Sequence, residues 1–214
     1  LATTPGGQGV GPLVDGLIKA WAMMGAGRAN DALSAFDAVA SEPGLQGFAM
    51  YHKAMALASV GDFEGAEEIF SADTTGSVVQ TRRGVLARAE ILSQLDKDTE
   101  ALELLQRMFS GATDPEALNG DVPVPFRYIS SVLVGFADVF YSVAAALRSE
   151  AGPEYTILYA QVALALRPDH VDALLLTADL FETLQQYDQA IAVYKQVPAS
   201  DPAYHAAELG RAEA

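Results

Sequence analysis

The sequence predicts an all-α array of helix hairpins, on three observations. Small residues stand on two rulers that keep one register. Ala32, Ala66, Ala101 and Ala190 are separated by 34, 35 and 89 residues, the last step leaving room for a mark near Thr156. Ala20, Ala54, Ala89, Ala144 and Ala178 lie earlier in each unit, at steps of 34, 35, 55 and 34. A recurrence of this length is the mark of a repeat architecture. Turn-forming stretches fall between the two marks of every unit: "GAGRAN" at 25–30, "SVGDFE" at 59–64, "QLDKDT" at 94–99, "SEAGPE" at 149–154 and "LQQYD" at 184–188. Within each unit apolar positions recur at three and four residues, the helical spacing, and β-branched residues are few.

Each unit therefore reads as helix, short turn, helix. A small residue is required where the helices of a hairpin cross, since a larger one there overpacks by about 1–3 kcal/mol. One turn beyond the second mark stand Phe36, Phe70, Leu105, Ala160 and Tyr194, four of them bulky enough to fill the gap between pairs. Residues 1–11, "LATTPGGQGVG", form a glycine-rich lead-in that lacks the lysine and hydroxyl of a phosphate loop. The long fourth step places an insertion at about 116–136, "EALNGDVPVPFRYISSVLVGF". Its first half, with Asn119-Gly120, Pro123 and Pro125, is a loop. Its second half should lengthen the first helix of the fourth unit, with "VPVPF" lying across that helix. Residues 12–214 form a single array of five repeats, and "AYHAAELGRAEA" begins a partial sixth.

The pattern of aromatic, small residue, aromatic and closing proline resembles the tetratricopeptide repeat. "SVGDFEGAEEIF" (59–70) and "LQQYDQAIAVYKQVPASDP" (184–202) carry the resemblance best, and "ALALRPD" (163–169) resembles the end of such a repeat. The first-helix tryptophan and leucine-glycine of the family are replaced by Leu174, Thr177-Ala178 and Phe181 in the last complete repeat. Segments such as "PVPF" and "YAQVALALRPD" also resemble tetratricopeptide proteins of alphaproteobacteria. The resemblance implies a right-handed α-solenoid and a noncatalytic scaffold that binds a peptide or protein segment in a concave groove.

Composition narrows the partners. Thirteen basic against twenty-eight acidic residues leave a net charge of −15, with no basic cluster to track phosphates, so nucleic acid is not expected. Without cysteine, disulfides, thiolate metal sites and a cysteine nucleophile are excluded. His52, His170 and His205 fall in different repeats with no second histidine a turn away, so no metal is implied. No cofactor motif is present, and Glu67-Glu68 reads as a solvated pair. Residues 128–147 carry Asp138 as their only charge, a membrane span in length only, because a central aspartate costs roughly 2.5–3.5 kcal/mol there and three serines and a glycine weaken it further. The compartment, cytoplasmic or exported, stays open.

In a tetratricopeptide array the residue after the first-helix mark faces the groove. Extended along each first helix, that register gives candidate stripes Val14, Leu17, Trp21 and Met24, then Phe48, Tyr51 and Met55, then Arg83 and Glu90 with Leu86 and Ser93. The fourth and fifth give Tyr141 and Arg148, then Asp172, Asp179 and Glu182. The face runs from aromatic and methionine-rich to acidic, fitting a protein segment with apolar anchors at one end and basic residues at the other. The first stripe is equally readable as core. A structural or self-associating array with no external ligand, homo-oligomeric in one form, is an alternative; a module that positions substrate for an enzyme domain elsewhere is another.

Overall fold

The computed structural model describes residues 10–72, 81–109 and 124–214, and among these every regular element is an α-helix. Among the described residues eleven helices follow one another: α1 (Gly11–Gly25), α2 (Ala29–Ala40), α3 (Gln46–Ser59), α4 (Phe63–Ala72), α5 (Arg82–Gln94), α6 (Asp98–Phe109), α7 (Val132–Leu147), α8 (Pro153–Leu166), α9 (Val171–Thr183), α10 (Tyr187–Tyr194) and α11 (Tyr204–Glu213). Taken in order they are five pairs and one further helix; α2 to α6 pack each on the next within one stretch, and α8 to α11 do so within another. The lead-in is shorter than residues 1–11, for Val10 is buried and Gly11 opens α1; residues 1–9 lie outside the described residues.

Both alanine rulers are core. Ala20, Ala54, Ala89, Ala144 and Ala178 are buried, as are Ala32, Ala66, Ala101, Thr156 and Ala190. Turn chemistry keeps the same register. Gly27, Gly61, Asp96 and Gln185 all carry positive φ, at 72°, 86°, 57° and 58°, spaced like Ala32, Ala66, Ala101 and Ala190. Glycine adopts that backbone at no steric cost, and aspartate and glutamine adopt it where the repeat demands the same turn. Helix starts follow local rules: the Thr81 side chain accepts from the Gly84 N–H at 3.0 Å to cap α5, and Pro153 opens α8, where its missing N–H costs nothing.

The chain divides into two compact units. One takes Gly16–Gly135; the other takes Phe136–Ala214 with the described residues up to Asp15, so the boundaries fall inside α1 and α7. In the first unit, Val85, Ala89, Leu92, Ala101 and Leu105 form a core between α5 and α6. Near α1, the rings of Trp21 and Phe36 meet edge to face at 5.9 Å. Gly135 lies so close that a Cβ there would come within 2.6 Å of the Trp21 ring. In the second unit, Leu174, Ala178, Ala190, Val193, Tyr194, Val197 and Ala207 form one cluster, and Ala144, Ala160, Leu176 and Leu180 another.

The insertion departs from expectation. α7 does start early, twelve residues before its mark Ala144, where α9 starts seven before Ala178. Residues 124–131, however, are not helical, and residues 124–128 lie along α5. The part of the expected loop at 116–123 is outside the described residues.

Candidate functional site on α5

The candidate stripe of α5 is covered by the chain's own residues 124–128. At its C-terminal end the Val124 N–H donates to Ser93 Oγ at 3.1 Å, and the Gln94 amide donates to the Val124 carbonyl at 2.7 Å. Midway, the Arg127 N–H donates to Glu90 Oε2 at 2.8 Å, while Arg127 Nε and Nη2 donate to Oε1 at 3.1 and 3.0 Å. At the N-terminal end, Arg83 Nη2 donates to the Tyr128 carbonyl at 3.1 Å, and its guanidinium lies 4.9 Å from the Tyr128 ring centroid. Phe126 turns to Phe63 at the start of α4, ring centroids 6.3 Å apart. Val124 packs on the α5–α6 core.

The segment thus runs antiparallel to α5. Ten helical residues from Arg83 to Ser93 rise about 15 Å, and four steps of extended chain span about 13 Å, so an extended segment matches the stripe in length. Burial pushes the Glu90 carboxyl above its ordinary value near 4.5; the hydrogen bonds and charge of Arg127, and the charge of Arg83, oppose that rise. A carboxylate so placed needs a cation, and the segment brings one.

Elsewhere in the first unit the candidate residues are closed in. Leu17, Trp21 and Met55 are fully buried, Tyr51 is 8% exposed, and Met24 and Phe48 are half-buried. The Trp21 indole N–H donates to His52 Nδ1 at 3.3 Å, with the Tyr51 ring 5.1 Å from His52. Leu17, Trp21, Tyr51 and Met55 are core side chains, so the apolar end of the expected gradient is not an open surface. Glu67, read as solvated, is also buried, gripped by Arg88 at 2.6 and 3.0 Å.

The second unit keeps its stripe partly open. Arg148 Nη2 donates to Asp179 Oδ1 at 2.8 Å with both side chains substantially exposed, and Glu182 is half-buried. The Tyr194 phenol is pushed up to about 12, first by burial and then by the charge and hydrogen bond of Glu182. Asp172 is 8% exposed and Val14 half-buried. Tyr141 packs on His170, ring centroids 4.8 Å apart, and His170 Nε2 lies 3.6 Å from buried Asp138. His170 Nδ1 accepts from the Ala173 N–H at 3.2 Å, so this histidine caps α9.

Residues 156–212 match the tetratricopeptide repeat family. The match takes in α9, α10 and most of α8 and α11, and further helices in pairs precede it. No curated protein and no solved structure matches the chain. Tetratricopeptide repeats support protein–protein interaction in general, and proteins built of them are in general noncatalytic scaffolds. Among the described residues no cluster of His, Cys, Asp and Glu could hold a metal ion, and no helix is long and apolar enough to cross a membrane.

Sequence reasoning found Arg83, Glu90 and Ser93 by register but missed Gln94, Phe126, Arg127 and Tyr128. One signal for the last three was there to read. "VPVPFRY" has prolines that forbid helix beside an arginine between two aromatic residues, the composition of an extended ligand.

Proposed function

We propose that this chain is a noncatalytic protein-interaction scaffold that takes an extended peptide or protein segment along the inner stripes of its first helices. One observation carries the reading: α5 already holds such a segment, residues 124–128, by side-chain bonds to its main chain and an ion pair to its arginine. The half-exposed carboxylates Asp179 and Glu182 extend the same chemistry to α9, where a basic side chain would add orientation and rate of encounter more than affinity.

The test is affinity capture with the full chain and two variants. A partner lost on replacing Asp179 and Glu182 by Ala, yet kept on replacing exposed Glu68 by Ala, supports the inner stripe as its site. A partner held equally by both variants would move the site elsewhere. The buried Leu17, Trp21, Tyr51 and Met55 favour a second reading, a structural array whose inner face is filled by its own chain. A chain that captures nothing and self-associates by light scattering supports that second reading.

A further inference from the structure

Four main-chain groups of residues 124–128 are bonded by side chains of α5: the Val124 N–H by Ser93, the Val124 carbonyl by Gln94, the Arg127 N–H by Glu90 and the Tyr128 carbonyl by Arg83. Contacts to main chain recognise an extended segment whichever polypeptide owns it. The segment is also held lightly. Pro125 and the Arg127 side chain are exposed, the latter 72%, and Phe126 and Tyr128 are half-buried. Glu90, in contrast, is 7% exposed and has little water to turn to if Arg127 leaves. The helix is therefore the demanding partner of the two.

We infer that residues 124–128 are a built-in competitor for the seat on α5, displaced by an extended segment of another polypeptide that carries an arginine between two aromatic side chains. This rests on the scaffold reading above. Each position of the ligand has its reason. Nε and Nη2 of the arginine both reach Glu90 Oε1 while the main-chain N–H takes Oε2, a fork that lysine cannot form. The aromatic residue before it faces Phe63, and the one after it lies against the Arg83 guanidinium. A tethered segment competes at an effective concentration far above that of a free one, so the seat answers only to a ligand that is tight or locally abundant.

A fluorescein-labelled peptide, Val-Pro-Phe-Arg-Tyr-Ile-Ser, the sequence of residues 124–130, is the probe, read by fluorescence anisotropy against the full chain. Arg127→Ala with Phe126→Ala in the chain weakens the resident segment, and the labelled peptide should then bind at least about tenfold tighter than to the parent, a difference of about 1.4 kcal/mol. Phe126→Ala alone, which leaves the ion pair, should give a smaller gain. A peptide with alanine or lysine for its arginine should lose that binding, as should the intact peptide when Glu90→Gln is added to the chain. Equal binding to parent and double variant, or to neither while far-UV circular dichroism shows both helical, overturns the inference. A partner captured through Asp179 and Glu182 would still stand in that case, so the scaffold reading is judged separately.

Discussion

Helices α5 and α9, each the first of its pair, carry the same register and meet different ends. Glu90 follows the small mark Ala89 as Asp179 follows Ala178, yet Glu90 is 7% exposed beneath residues 124–128 while Asp179 stays half-open with an exposed arginine beside it. The residue at that register is Trp21 in α1 and Met55 in α3, both fully buried. A repeat position thus specifies where a side chain points, and what covers it is supplied from elsewhere in the chain. In the first unit that cover is present; on α9 the carboxylates are left to a neighbouring arginine and a tyrosine.

The closed character of the first unit is most severely tested at Trp21. Trp21→Ala should cost about 3–5 kcal/mol in chemical denaturation, the loss of a core aromatic. A loss below about 1 kcal/mol would mean that the face is open and the contrast with α9 false.

A smaller effect tests whether the register is shared. Ala89→Leu and Ala178→Leu should each destabilise by about 1–3 kcal/mol, because both marks sit at helix crossings. Loss at one mark only would show that the two units do not use one crossing geometry.

Ionisation separates the two carboxylates. Glu90 has its carboxyl raised above its ordinary value near 4.5, chiefly by burial. A raised acid contributes stability that is fully present below the unfolded value and lost as pH rises through the folded one. Parent chain should therefore lose more stability than Glu90→Gln as pH climbs from 4 through the raised value, with the gap level beyond it. Parallel pH profiles from urea melts would break the contrast. The same ionisation is what grips Arg127, so the seat is strongest on the side where it costs the fold most.

The least effect belongs to the open stripe. Asp179→Ala removes an exposed ion pair with Arg148 and should change stability by less than about 1 kcal/mol, vanishing in 1 M salt. A larger, salt-insensitive loss would place Asp179 in a packed site like that of Glu90.

Much of this was legible in sequence because it is local or periodic. Helices, turns and both alanine rulers follow from short-range propensity and from the steric demand of a crossing, which every repeat restates. The positive φ at Asp96 and Gln185 was hidden, since neither residue announces it, although Gly27 and Gly61 at the same register do. The apolar stripe through Leu17, Trp21 and Met55 was readable as groove or core, because an apolar residue suits either until its neighbours are known. Glu67 misled for a similar reason: its partner Arg88 is twenty-one residues away, on another helix.

By itself the sequence determined a repeating all-α chain and the register of its small residues, both of which depend on contacts within about one hairpin. Only the tertiary structure decided that residues 124–128 turn back onto α5. That choice rests on Glu90, Ser93, Gln94 and Arg83 meeting a main chain thirty to forty-five residues further on. Hydrogen bonds of that reach leave no period in the sequence, for they join a repeat to an insertion that occurs once.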